Sequence, residues 1–168
     1  MELRSGDFIM KENNREEFHT FRGYTLAQFA RDDLSASMED YLEMIYRLSR
    51  GEGQIRVNDL ARALNVQPPS VTKMVKKLAG KGFLEYERYG VIQLTDTGRE
   101  MGRYLLDRHN MLEEFLRLIG VKRRLLENVE RIEHNLTPEA TQCLFNLVDY
   151  LRQRPEIGAE LSRQSADG

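Results

Sequence analysis

The sequence predicts a mainly α-helical protein, an N-terminal winged helix-turn-helix followed by a second, helical domain. Three observations carry that prediction. The composition has no Trp, only four Pro and an abundance of Leu, Glu, Arg and Ala, which favours helix. Two short amphipathic segments between residues 57 and 78 precede two β-rich segments around a glycine turn. A long amphipathic segment from residue 97 to Gly120 makes, at roughly 1.5 Å per residue, a helix of about 35 Å, enough to leave the first domain and build another.

Residues 1–34 are polar and mixed in charge, then carry Phe18, Phe21, Tyr24, Leu26 and Phe29, so a loosely ordered leader with one short helix near 24–31 is expected. From the suitable N-cap Ser37, Met38, Tyr41, Leu42, Ile45 and Leu48 form the apolar stripe of a helix that Gly51 and Gly53 stop. Asp40 and Glu43 lie off that stripe. Val57, Leu60, Ala61 and Leu64 have the spacing of a short amphipathic helix ending at Asn65-Val66. Pro68-Pro69-Ser70 opens the next helix, with Val71, Met74, Val75 and Leu78 inward and Ser70, Thr72, Lys73, Lys76 and Lys77 outward until Gly80 and Gly82. Residues 83–88 and 91–94 flank Tyr89-Gly90 as two short strands, the wing. Thr95-Asp96-Thr97 caps the long helix, whose buried side is Met101, Tyr104, Leu105, Leu112, Phe115, Leu116 and Ile119. A helix near 123–134 follows, and Thr137-Pro138 starts another through Ala140, Leu144, Leu147, Val148 and Leu151. The expected divisions are 1–34 (N-terminal extension), 35–103 (winged helix-turn-helix), 104–154 (helical domain) and 155–168 (polar, frayed tail).

A chain of 168 residues with 40% hydrophobic content can bury one good core or two small ones without disulfides. Cys143 has no second cysteine to pair with, and neither a signal-peptide core nor a run of about 18 apolar residues occurs, so a soluble cytoplasmic protein with no membrane partner is expected. The net charge of −2 gives no global sign of nucleic-acid binding, yet residues 56–88 hold seven basic residues (Arg56, Arg62, Lys73, Lys76, Lys77, Lys81, Arg88) against three acidic ones (Asp59, Glu85, Glu87), a balance of +4.

In a helix-turn-helix the second helix enters the major groove, and its outward residues near the N-terminus touch base edges while flanking cations grip phosphate. Pro68, Pro69, Ser70, Thr72 and Lys73 occupy the first positions, and Lys76, Lys77 and the wing residue Arg88 the flanking ones. Proline and threonine carbons suit a thymine methyl, hydroxyls suit bases or phosphate, and lysines supply sequence-independent attraction. A basic amphipathic helix alone is equally well a solvated surface; the wing that follows it favours double-stranded DNA.

Asp40 and Glu43 stand three residues apart, and Glu130, Glu133 and His134 share one helix face. Either group alone is the ordinary make-up of a solvated helix surface, and a lone His109 or His134 is more often packed or exposed than a ligand. Brought together by folding, four carboxylates repel unless a hard divalent cation neutralises them.

The chain resembles the diphtheria-toxin-repressor family, and within it the manganese-transport-regulator branch. The likeness rests on residues 37–43 (Ser-Met-Glu-Asp-Tyr-Leu-Glu), 69–75 (Pro-Ser-Val-Thr-Lys-Met-Val), Arg108-His109, Glu114-Phe115-Leu116 and residues 130–134 (Glu-Arg-Ile-Glu-His), and runs from about residue 36 to 152. It implies that Asp40, Glu43, His109, Glu130, Glu133 and His134 ligate a pair of Mn2+ ions. It also implies a homodimeric, non-enzymatic repressor that binds a palindromic DNA operator and governs manganese uptake. Asn135 departs from the manganese branch, which often has a second His there, and the leader is atypical. Iron-sensing relatives often add a C-terminal SH3-like domain, for which the residues after Gln153 leave no room. They also resemble this chain with Met in place of Asp40 and Cys in place of Glu130, so a sulfur-free, oxygen-rich donor set favours Mn2+, with Fe2+, Co2+, Zn2+ or Cd2+ as non-cognate metals. Two alternatives stay open: a metal-independent winged-helix regulator that responds to an organic ligand, and a carboxylate-bridged dimetal enzyme. The second lacks the usual Glu-x-x-His pairs, since Leu106 and Arg131 precede His109 and His134 by three residues.

Overall fold

The computed structural model describes residues 34–51, 54–86 and 90–164; the helix expected near 24–31 and the wing residue Arg88 lie outside the described residues. The elements are α1 (Ala36–Ser49), β1 (Ile55–Arg56), α2 (Val57–Leu64), α3 (Pro68–Gly80), β2 (Leu84–Tyr86), β3 (Val91–Leu94), α4 (Asp96–Leu118), α5 (Leu125–Glu133), α6 (Pro138–Arg152) and α7 (Pro155–Gln164). The strands form one antiparallel sheet of order β1-β3-β2, with Ile55 opposite Ile92 and Glu85 opposite Gln93.

α1 starts two residues earlier than expected. Its cap is Ser35, whose carbonyl accepts from the Met38 and Glu39 amides at 2.8 and 3.0 Å, so Ser37 falls inside the first turn. In the helix-turn-helix, Asn65 takes the left-handed conformation (φ 53°), which Asn tolerates better than most residues, and the Val66 amide closes on Ala61 O at 3.0 Å. α3 ends similarly: Gly82 (φ 81°) lets the Phe83 amide return to Leu78 O at 3.1 Å, aiming the chain into β2. Thr95 ties the end of the wing to the long helix. Its hydroxyl donates to Gly82 O at 2.7 Å and accepts the Gly98 amide at 3.0 Å.

Two apolar cores share α4. The first joins Leu42 and Ile45 of α1, Leu60 of α2, Val71, Val75 and Leu78 of α3, Ile92 of the sheet, and Met101 and Leu105 of α4. The second begins half a helix later with Met111, Leu112 and Leu116, packed on Val129 of α5 and Val148 of α6. Between the two cores α4 buries Arg108 and His109, polar residues in the stretch where neither apolar core continues.

The strand Ile55–Arg56 has no counterpart in the sequence reading, because two residues carry no periodicity and only β3 makes them a strand. One expectation needs correction. The tail beyond Arg154-Pro155 is not frayed; it forms α7, through Gln164. Pro155 both stops α6 and opens α7, where its missing N–H costs nothing, and Gly158 is buried against α4.

Close approach at the α4 glycines generates a stability prediction. A Cβ at Gly98 would collide with the Phe83 carbonyl, and one at Gly102 would lie 2.6 Å from Tyr46 Cβ, whereas one at Gly158 would meet Leu118 Cδ2 at an ordinary 3.5 Å. Gly98→Ala and Gly102→Ala should each destabilise by about 1–3 kcal/mol, because backbone or a buried aromatic must move. Gly158→Ala should leave the melting temperature unchanged or raise it. Thermal denaturation of the three variants checks the ranking.

Candidate metal centre and nucleic-acid interface

The helical period of α1 puts Met38, Tyr41, Leu42 and Ile45 into the first core and leaves Glu39, Asp40 and Glu43 on the side that α4 and α5 approach. Lying off the apolar stripe is therefore not the same as lying in water. Side-chain exposure is 43% for Asp40 and 12% for Glu43, since only the latter is roofed. α5 contributes Glu130 and Glu133, its C-cap is His134, and α4 contributes His109. Glu133 is the innermost member at 2% exposure.

These six residues form two groups whose potential ligand atoms lie within 4.8 Å of one another: Asp40, Glu130, Glu133 and His134, and Glu43, His109 and Glu133. Glu133 belongs to both. His109 Nδ1 is 3.1 Å from Glu133 Oε2 and 4.0 Å from Glu43 Oε1, while His134 Nε2 is 2.9 Å from Asp40 Oδ1 and 3.6 Å from Glu133 Oε1. Donors of this kind, oxygen-rich with two imidazoles and no sulfur, fit hard or borderline divalent cations.

Electrostatics supports the fit. A carboxylate as buried as that of Glu133 needs positive charge at contact distance, and here histidine protons supply it. The hydrogen bond to Glu133 holds the His109 pKa above its ordinary value despite burial. Hydrogen bonds to Asp40 and Glu39 push His134 up to about 10. The Glu130 pKa is also raised, first by burial and then by repulsion from Glu133 and Asp40. Arg47, one turn beyond Glu43, donates from Nε to Glu43 Oε1 at 2.8 Å.

Two residues outside the sequence-predicted set complete the junction. Glu39 Oε2 accepts from His134 Nδ1 and from Arg108 Nη2, each at 2.8 Å. Glu39 precedes Asp40 and Arg108 precedes His109, but nothing local distinguishes such neighbours from other charged residues. Asn135 does not enter the cluster: its amide donates to Arg131 O at 2.8 Å and closes the end of α5.

On α3, Pro68, Pro69, Ser70, Lys73, Lys76 and Lys77 are exposed and Thr72 is partly buried, opposite the core face of Val71, Val75 and Leu78. The Thr72 hydroxyl donates to Pro68 O at 3.1 Å, leaving its oxygen as an acceptor only.

A winged helix-turn-helix joined by one long helix to a domain rich in clustered ligands defines a class, the DNA-binding regulators with an attached metal-binding module. Residues 33–92 match the family model described as iron-dependent repressor, N-terminal DNA binding domain, and residues 95–161 that described as iron-dependent repressor, metal binding and dimerisation domain. The chain belongs to this iron-dependent, or diphtheria-toxin-type, repressor family of dimeric DNA-binding transcriptional regulators. It is 45% identical over 126 residues to the HTH-type transcriptional regulator MntR of Lysinibacillus sphaericus (strain C3-41), covering 74% of this chain and 91% of that protein. It is 48% identical over 118 residues to the HTH-type transcriptional regulator MntR of Geobacillus kaustophilus (strain HTA426), covering 70% and 84%. Among solved structures, the manganese regulator SloR matches with a TM-score of 0.60 and 28% identity over 67% of this chain; the match spans 54% of the SloR chain, about half its length. No helix among the described residues is long and apolar enough to cross a membrane.

The raised His134 pKa has a definite sign. Its folded value of about 10 lies above the unfolded value near 6.5, so the stability it contributes is complete below about pH 6.5 and is lost as pH climbs toward 10. In chelator, the melting temperature should fall between pH 7 and 9.5, and His134→Gln should flatten that slope. Divalent-cation affinity should run the opposite way, rising with pH as ligands shed protons. Denaturation scans and metal titrations across that range test both signs.

Proposed function

We propose that the protein is a Mn2+-activated transcriptional repressor, a cytoplasmic homodimer rather than an enzyme, that binds a palindromic operator and controls genes for manganese uptake. The observation that carries this reading is the pair of ligand groups meeting at Glu133, drawn from α1 of the DNA-binding domain, from α4 that links the domains, and from α5. Asp40, Glu130, Glu133 and His134 hold one ion, and Glu43, His109 and Glu133 a second. Bound cations supply charge neutralisation and a fixed coordination shell. The chain's own residues do the rest: the acidic face of α1 is held against α4 and α5, and α3, packed on α1 and α2, is thereby set relative to the dimer. Operator half-sites demand a fixed distance between two recognition helices, so restricting this hinge raises affinity without adding a DNA contact.

Mn2+ is the weakest of the first-row divalent ions in general affinity, so selectivity resides in donor hardness and coordination number. Asp40 and Glu130 place carboxylate oxygens where iron-sensing relatives are expected to hold sulfur. Fe2+, Co2+, Zn2+ and Cd2+ are non-cognate metals for this site. Support for manganese also comes from the names of the relatives, among them a manganese regulator.

Operator affinity should rise about 5- to 150-fold from chelator to saturating Mn2+, the usual range of allosteric coupling. Asp40→Met with Glu130→Cys should let Fe2+ activate as well as Mn2+ in an anaerobic titration, while Asp107→Asn should keep the wild-type preference. Equal operator affinity with and without chelator contradicts the mechanism and points to a metal-independent regulator.

On the DNA side, Pro68, Pro69, Ser70 and Thr72 face bases and Lys73, Lys76 and Lys77 face phosphate, the role the sequence also gives Arg88. Lys73→Ala should weaken binding to every sequence and reduce the log–log salt slope by about 0.9. Thr72→Ala should alter the ranking of operator variants at one position by about 1 kcal/mol or more. Uniform weakening by Thr72→Ala would make it a backbone contact.

A further inference from the structure

We propose that Glu39, anchored by Arg108, is a positioning residue that accepts the Nδ1 proton of His134 and so presents the His134 Nε2 lone pair to a cation held with Asp40, Glu130 and Glu133. This inference rests on the reading of that cluster as a metal site and adds to it a residue outside both ligand groups.

Geometry carries the argument. His134 uses its two ring nitrogens in two directions: Nδ1 faces Glu39 Oε2 at 2.8 Å, and Nε2 faces Asp40 Oδ1 at 2.9 Å. An imidazole that ligates a cation through one nitrogen carries its proton on the other, and a carboxylate at that second nitrogen fixes both tautomer and ring orientation. Glu39 is the only acceptor that the described residues place at Nδ1. Its own position is set from a third element. Arg108 of α4 donates from Nη2 to the same Oε2 at 2.8 Å, and Arg108 is only 6% exposed. A buried guanidinium needs a counter-ion, so Glu39 is bound to α4 by a constraint independent of any metal. Among the described residues Arg108 Nε has no hydrogen-bond partner, and the Glu39 carboxylate is the nearest counter-charge that the guanidinium bonds. The clamp thus spans α1, α4 and the C-cap of α5, one residue from Asp40 and one from His109.

A plain structural ion pair would hold the helices together without selecting a nitrogen, and the two roles separate experimentally. Calorimetric titration of the chelator-stripped full chain with Mn2+ resolves the two ligand groups, and 15N spectra of the Cd2+-loaded protein, which is diamagnetic, report the His134 tautomer. Glu39→Ala should weaken the group containing His134 about ten- to hundred-fold, the usual effect of losing such a partner, and leave the group containing Glu43 and His109 within about threefold. Glu39→Gln, whose amide oxygen can still accept from Nδ1, should recover most of the loss. If Glu39→Ala does not fold because Arg108 is left unpaired, Glu39→Ala combined with Arg108→Met removes both charges and still lacks the acceptor; the same selective loss is expected.

Wild-type spectra should show Nδ1 protonated. Equal weakening of both groups, unchanged affinity in the double variant, or metal on Nδ1 would each overturn the proposal and leave Glu39–Arg108 a structural pair. If the wild-type chain binds no Mn2+ at all, the metal-site reading itself fails, before any variant is compared, and this inference falls with it.

Discussion

Glu133 is a carboxylate that folding takes out of water, with Asp40, Glu43 and Glu130 converging on the same place. An isolated buried carboxylate is costly by several kcal/mol, and repulsion from its neighbours adds to that. The junction between the two halves of the molecule is therefore stable only when positive charge is present. The ring N–H groups of His109 and His134, whose pKa values the facing carboxylates hold up, and the guanidinium groups of Arg47 and Arg108 face these carboxylates. On the proposed reading a bound cation takes the place of this charge, and that makes the junction responsive where an apolar one would be permanent.

α4 turns this local exchange into a property of the whole chain. Its first turns belong to the core that supports α3, its last turns to the core built with α5 and α6, and Arg108 and His109 occupy the gap between. Gly98 and Gly102 bring its N-terminal half close to Phe83 and Tyr46, so that half moves with the DNA-binding domain. The hydrogen bond from Arg103 to the Tyr46 hydroxyl at 3.1 Å reinforces the same contact. The clustered candidate ligands lie where the acidic face of α1 meets His109 and α5.

Much of the fold was legible in order along the chain. Val57-Leu60-Ala61-Leu64 and Val71-Val75-Leu78 have helical periods that the structure reproduces, and Thr95, Thr137 and Pro138 mark helix starts with their own side-chain chemistry. Local marks misled where two signals overlapped. Ser35 and Ser37 are both acceptable caps, and the Ser35 carbonyl takes the role; Pro155 ends one helix and begins another, so a stop signal concealed α7. β1 has no local signal at all, being defined by its register with β3.

By itself, the sequence determined the periodic elements and the basic outward face of α3, because capping and amphipathic spacing are properties of neighbouring residues; the six candidate ligands it marked only through the family resemblance. Tertiary structure alone decided that Glu133 stands at the meeting of two ligand groups, that Glu43 is roofed while Asp40 is not, and that Glu39 pairs with Arg108, 69 residues away. Burial and long-range contact depend on which helices come together, and no pattern within one helix encodes the charge that another will bring to it.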